Sequence, residues 1–228
     1  MNLLNQKYSK EVSDIIKSSA QYPSLTKAED GTMYVCYQEY KDGHDCIVAG
    51  VLNQEKDTFS EVERISGEGE ALKPVCVSSG NQIWYAWGEC RNQVWGIYYR
   101  SYENGVYGEI HCAEEGEALF YPCLYAKDGI VYLLWNRQSS NAGEIVLSTI
   151  DEEGIHDVQV VSTSKETYRP SICITEDHTI YVAYDSFNGT TYDVIVRACK
   201  DQVWTEEKSS KYFKNSMGNT AITGIFKG

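Results

Sequence analysis

Several things are scarce in this 228-residue chain, and each scarcity removes a class of function. Basic residues are few: 20 Lys and Arg stand against 33 Asp and Glu, a net charge of −13. Nucleic acid and anionic membrane surfaces both demand a basic face, so neither is an expected partner. No apolar run is long enough to span a bilayer as a helix. The opening Met1-Asn-Leu-Leu-Asn-Gln-Lys7 lacks the apolar core of a secretion signal. None of the eight cysteines falls in a C-x-x-C pair, and the four histidines share no ligand spacing. Buried free thiols behave as small hydrophobes, and without an export signal they fit a reducing cytoplasm. No D-x-D-x-D-G calcium loop, nucleophile elbow or glycine-rich loop before a helix occurs. The expectation is a cytoplasmic protein with no metal and no cofactor.

Proline is the scarcest residue that matters, because all four copies stand in phase. Pro23, Pro74, Pro122 and Pro170 are 51, 48 and 48 residues apart. Around each the same spelling returns. Tyr22-Pro-Ser-Leu-Thr leads to Asp30-Gly31 and then Met33-Tyr-Val-Cys-Tyr37. Lys73-Pro-Val-Cys-Val leads to Gly80-Asn81 and Ile83-Trp-Tyr-Ala-Trp87. Tyr121-Pro-Cys-Leu-Tyr leads to Asp128-Gly129 and Val131-Tyr-Leu-Leu-Trp135, and Arg169-Pro-Ser-Ile-Cys leads to Ile180-Tyr-Val-Ala-Tyr184. After Ile180–Asp185 come the turn at Asn188-Gly189, a third strand from Tyr192 to Ala198, and a fourth at Val203-Trp204-Thr205. The proline is read as opening each first strand, where its missing N–H does no harm.

Four short antiparallel strands cannot bury both faces of their sheet alone, so the copies must stack on one another. A period near 48 residues with four strands per unit predicts an all-β β-propeller of four-stranded blades. An evenly spaced β-sandwich would have no reason to repeat the proline and the aromatic second strand in phase. One domain over 1–228 is expected, with complete blades at 21–66, 71–112, 119–162 and 167–208. Glu11-Val-Ser-Asp-Ile-Ile matches Glu61-Val-Glu-Arg-Ile-Ser, an outer strand, and Asn219–Phe226 falls where a new inner strand is due. Residues 1–20 and 209–228 are therefore expected to build a composite or incomplete fifth blade. Open alternatives are a longer propeller, or homo-oligomers paired through that incomplete blade.

In a propeller, the loops entering each inner strand and those leaving each second strand open on one funnel face. The residues before the prolines are Tyr22, Lys73, Tyr121 and Arg169. Those after the second strands include Glu39, Glu89, Arg137 and Asp185, and third strands open near Trp95 and Tyr192. Aromatic platforms mixed with cations and carboxylates suit a polar ring such as a sugar, or a protein segment. These ten are the candidate ligand-binding residues; no catalytic set is assigned. The near-verbatim loops Gly67-Glu-Gly-Glu-Ala-Leu72 and Glu115-Gly-Glu-Ala-Leu119 are read as structural rather than cation-binding.

The pattern Pro-Ser-Ile … Tyr-Val-Ala-Tyr-Asp-Ser-Phe … Tyr-Asp-Val-Ile-Val-Arg … Trp-Thr resembles the sialidase-like or BNR-type β-propeller repeats over nearly the whole chain. That resemblance implies the fold. Sialidases carry an Asp box, Ser-x-Asp-x-Gly-x-Thr-Trp, between third and fourth strands, and here only Asp201…Trp204-Thr205 retains part of it. In blade number and period the chain is also similar to five-bladed tachylectin-type sugar binders. Propeller glycosidases similar to arabinanases place acids on or beside the innermost strands, and here Ser24-Leu25-Thr26, Val75-Cys76-Val77, Cys123-Leu124-Tyr125 and Ser171-Ile172-Cys173 have none. The expected function is non-catalytic binding of a glycan or protein segment on the funnel face. The alternatives are a sialidase-like or arabinanase-like glycoside hydrolase, and a structural part of a larger propeller or oligomer.

Overall fold

The protein is described here by a computed structural model covering residues 18–41, 43–53, 58–139 and 142–210. Its four antiparallel sheets follow one another along the chain as simple meanders. The first holds β1 (Ser18–Lys27), β2 (Met33–Lys41), β3 (His44–Asn53) and β4 (Thr58–Arg64). The second holds β5 (Glu70–Ser79), β6 (Gln82–Arg91), β7 (Val94–Glu103) and β8 (Val106–Tyr107), with β9 (His111–Gly116) also pairing on β7. The third holds β10 (Ala118–Lys127), β11 (Ile130–Ser139), β12 (Ala142–Ile150) and β13 (Ile155–Val160). The fourth holds β14 (Thr167–Ile174), β15 (Ile180–Phe187), β16 (Tyr192–Lys200) and β17 (Val203–Trp204), with β18 (Lys208–Ser210) also on β16. Of the segments expected to form a fifth blade, 18–20 extend β1 and 209–210 end β18; the rest lies outside the described residues.

The hydrophobic cores lie between sheets rather than within them. On β6, Ile83, Tyr85 and Trp87 pack toward the first sheet with Cys36, Ile47 and Ala49. The alternate residues Trp84 and Ala86 pack toward the third with Leu119, Leu133 and Trp135. A third core joins Leu134, Ile145 and Leu147 to Ile172, Val182 and Tyr184 of the fourth sheet. A second strand covered on both faces needs apolar residues at every position, which is why it reads as a continuous apolar and aromatic run. Outer strands have a neighbour on one edge only, and β13 is exposed over most of its length. Stacked, radially ordered meanders of this kind form a β-propeller.

The prolines do not open their strands. Each inner strand begins three to five residues earlier, at Ser18, Glu70, Ala118 and Thr167. Each proline sits inside a β-bulge, where the register skips from Gln21 to Ser24, Leu72 to Val75, Phe120 to Cys123, and Tyr168 to Ser171. Two residues thus oppose one: Tyr22-Pro23 faces Tyr37, Lys73-Pro74 faces Trp87, Tyr121-Pro122 faces Trp135, and Arg169-Pro170 faces Tyr184. Proline is tolerated there for the reason it was expected at a strand start, since a bulge leaves a backbone N–H unpaired. The second strands are also longer than expected, so residues 38–39, 88–89, 136–137 and 185–186 lie within β2, β6, β11 and β15. All eight cysteines are free thiols. Among the described residues, no helix is long and apolar enough to cross a membrane.

Candidate functional site

The residue before each proline is turned into the left-handed region, with φ of 53° at Tyr22, 52° at Lys73, 55° at Tyr121 and 49° at Arg169. Bulky side chains adopt this conformation at a cost of about 1–2 kcal/mol each. Four such residues in phase make it a feature of the repeat. The bulges bring all four to a single central cavity of about 520 Å³, walled by Pro23, Pro74, Pro122 and Pro170 with Ser24 and Val75. The sequence presents the prolines as strand punctuation; their role as cavity walls follows from the bulge, which the sequence does not spell out.

Within the cavity the Lys73 ammonium lies 3.8 Å from the centre of the Tyr121 ring and 5.9 Å from that of Tyr22. Both fall within cation–π range. The Lys73 backbone N–H, left without a ladder partner by the bulge, donates to Gln38 Oε1 of the neighbouring blade at 3.1 Å. Arg169 Nε donates to Asp185 Oδ2 at 2.5 Å, and Asp185 is itself 4% exposed. The Arg169 guanidinium also stands 5.6 Å from the Tyr192 ring centre, and Tyr192 is 43% exposed. Tyr22, Lys73, Tyr121 and Arg169 therefore line one cavity, with Asp185 and Tyr192 attached through Arg169.

The other four candidates are placed elsewhere. Glu39 opens onto two smaller cavities on the flank of the first blade, one with Lys41, His44 and Arg64, the other with Pro23, Tyr37 and Phe59. Trp95 packs against Phe120 at 5.6 Å, across the gap between second and third blades. Arg137 pairs with Glu114 and Glu144, each at 2.8 Å.

Glu89 differs most from its expected place on the rim: it is completely buried. Its carboxylate accepts from the N–H groups of Gly67 and Gly69, both at 3.1 Å, and from Trp87 Nε1 at 2.8 Å. It also accepts from Arg91 Nε at 2.9 Å and Arg91 Nη2 at 3.1 Å. Burial pushes the carboxyl up, but the Arg91 guanidinium and the Trp87 indole outweigh it and hold it below the usual carboxylate range. The physical reason for its position is strand alternation, because β6 continues past Trp87 and turns Glu89 toward the Gly67–Gly69 loop. That loop is a receptor for a carboxylate, and its own Glu68 and Glu70 take no part in it.

The same device recurs. Trp135 Nε1 donates to Glu114 Oε2 at 2.6 Å, and Tyr184 Oη donates to Glu207 Oε1 at 2.5 Å. In three blades the aromatic opposite the bulge is thus tethered to a carboxylate. Among the described residues, no group of three His, Cys, Asp or Glu is placed to hold a metal ion.

No protein-family model matches the sequence, and no curated protein matches it. Solved structures are similar in fold. A protein of unknown function from Dyadobacter fermentans superimposes with a TM-score of 0.65 at 14% identity, over 85% of this chain and 70% of that one. A neuraminidase-like protein from a little yellow-shouldered bat isolate gives 0.62 at 9% identity, over 85% of this chain and 59% of that one. An endo-arabinase from Bacteroides thetaiotaomicron gives 0.52 at 12% identity, over 83% of this chain and 80% of that one. The chain thus shares the propeller fold of sialidase-like and glycoside hydrolase structures; identities this low establish the fold and nothing narrower.

Proposed function

We propose that the protein is a non-catalytic glycan-binding propeller, holding a sugar in its central cavity. The observation that carries this reading is the make-up of the cavity: two tyrosines, two cations, four prolines and no carboxylate among its lining residues. Its volume of about 520 Å³ falls among small-ligand sites, which run from roughly 300 to 1,000 Å³. Tyrosine rings offer flat apolar faces to the C–H face of a pyranose, and their hydroxyls and the two cations offer hydrogen bonds to its oxygens. That several similar folds belong to glycan-active proteins supports a sugar over other ring ligands.

Cleavage would need a general acid with a base or nucleophile, normally two carboxylates about 5–10 Å apart flanking the bond. Asp185 stands behind Arg169 and is paired with it, and Glu89 is engaged by five donors inside its blade. Among the described residues, neither has a second acid beside it in the cavity.

A glycan-array screen of the whole protein, repeated with Tyr121→Ala, tests the proposal. Retention of a defined glycan class by the wild type, weakened about tenfold or more in the variant, is expected, because one ring-stacking contact is worth roughly 1–2 kcal/mol. Incubation with the retained glycan should release no product. Sustained turnover would overturn the non-catalytic reading in favour of a glycoside hydrolase.

A further inference from the structure

The central cavity carries a charge opposite to that of the molecule around it. The protein has a net charge of −13, yet the lining residues contribute two cations and no anion. Other cavities hold carboxylates among their lining residues. Glu39 shares its flank cavity with Lys41 and Arg64, and the cleft between third and fourth blades is lined by Asp157 and Asp201.

The two central cations are not equivalent. Arg169 has a carboxylate of its own, Asp185, bonded at Nε. Lys73 has none among the described residues: its ammonium meets the faces of Tyr121 and Tyr22 and otherwise faces the cavity. Ring faces offset only part of the hydration an ammonium gives up, so a half-buried ammonium among rings keeps a strong preference for an anion. Because Arg169 is already paired, the cavity offers one unmatched positive charge. That suits a singly charged carboxylate better than a phosphate dianion, which favours guanidinium forks.

We propose that the sugar bound in the central cavity is acidic: a hexuronate whose ring lies against the tyrosines and whose carboxylate pairs with Lys73. This rests on the glycan-binding reading of the same cavity and narrows it to a charge class.

Matched pairs separate the two. Titration calorimetry of the whole protein near neutral pH would compare glucuronate with glucose and galacturonate with galactose, in the wild type, Lys73→Met and Lys73→Arg. Methionine keeps an unbranched stem for packing on Tyr121 and removes the charge; arginine keeps the charge and controls for folding. We expect one acid to bind about tenfold tighter than its neutral partner, the scale of one charge-assisted hydrogen bond. Lys73→Met should bring acid and neutral sugar within about twofold of each other, and Lys73→Arg should restore most of the preference. Equal binding of acid and neutral sugar by the wild type would overturn the charge assignment and leave the glycan reading standing. A preference that survives Lys73→Met would also overturn it. No binding of any of the four sugars would overturn the hexuronate assignment, while the glycan array decides the glycan reading separately.

Discussion

Glu89 reads as a ligand-binding rim residue in the sequence and stands as a structural anchor in the fold, and its removal distinguishes the two. Glu89→Ala takes away the acceptor of five hydrogen bonds from Gly67, Gly69, Trp87 and Arg91. The Arg91 side chain is 34% exposed and can turn toward water, whereas Trp87 is completely buried and its indole N–H cannot. An orphaned buried donor costs about 1–3 kcal/mol, and breaking a buried charge pair about 3–5 kcal/mol. The variant should therefore lose about 3–5 kcal/mol out of the roughly 5–15 kcal/mol typical of a domain. For a chain of this length that is a fall in melting temperature of about 10–15 °C. Glu89→Gln keeps the shape but turns an amide NH₂ toward donors and drops the charge opposite Arg91, so it should lose about 2–3 kcal/mol. Urea unfolding followed by tryptophan fluorescence, with a thermal melt beside it, reads both. A glycan retained by the wild type should bind each variant normally at temperatures where it is folded, because Glu89 does not line the cavity. A loss below about 1 kcal/mol in Glu89→Ala would refute the anchor, as would a variant that keeps its stability and loses its ligand.

The same fold sets three further outcomes. Glu207 is drawn upward by burial, but hydrogen bonds from Ser164, Tyr184 and the Thr163 N–H outweigh that and hold its carboxyl at about 2, from an ordinary 4.5. Its folded value lies below its unfolded one, so its stabilisation is complete above about pH 4.5 and is lost as the pH falls toward 2. For a partly exposed group the loss should be about 1–2 kcal/mol, and Glu207→Gln should flatten that acid limb in pH-resolved urea melts. Gln93 and Gln202 hold φ of 67° and 64° at exposed turn positions after Asn92 and Asp201, whose φ values are also positive. Glycine suits both sites, so Gln93→Gly and Gln202→Gly should each add about 0.5–1 kcal/mol, seen as a rise of a few degrees in melting temperature. In Gly69→Ala the new Cβ would stand 2.1 Å from the Cys90 carbonyl oxygen, so the loop must shift away from Glu89. A loss of about 2 kcal/mol or more is expected there, and little or none from Gly80→Ala, whose Cβ meets nothing, beyond the strain of its φ of 64°.

The fold was legible because its signal is redundant. Four prolines in phase, each followed by an apolar aromatic strand, leave little room for another architecture, and their phase also marked Tyr22, Lys73, Tyr121 and Arg169 as neighbours. The bulge was hidden for a physical reason: positive φ is normally signalled by Gly or Asn, and here Tyr, Lys, Tyr and Arg adopt it. A proline inside a strand then looks like a strand beginning. Glu39, Glu89 and Arg137 lie in strands rather than in the expected loops for one shared reason. Placing the end of each second strand at its last apolar residue made the next polar pair look like loop, although the ladder runs on to Lys41, Arg91 and Ser139. Polar residues deep in a sheet carry no separate mark in the sequence; only their partners, such as the Gly67 and Gly69 N–H groups, distinguish them from rim residues.

An acidic protein whose central cavity has no acid among its lining residues needs an explanation, and the tethered aromatics supply one. Each bulge opposes a single large ring, and in three blades that ring donates to a carboxylate: Trp87 to Glu89, Trp135 to Glu114, Tyr184 to Glu207. These acids hold the second strands and the linking loops in place, and the bulges keep their shape against rings so held. Chemistry at the cavity is left to one variable residue per blade, the one before the proline, which here runs Tyr, Lys, Tyr, Arg. Acid–base catalysis would require a carboxylate at one of those four positions or close behind it. Among the described residues the acid found there is Asp185, which is bound to Arg169 and holds a cation in position. With carboxylates in the walls and rings and an unmatched ammonium at the centre, the described residues of the scaffold favour the proposed binding of an anion-bearing ring over its cleavage.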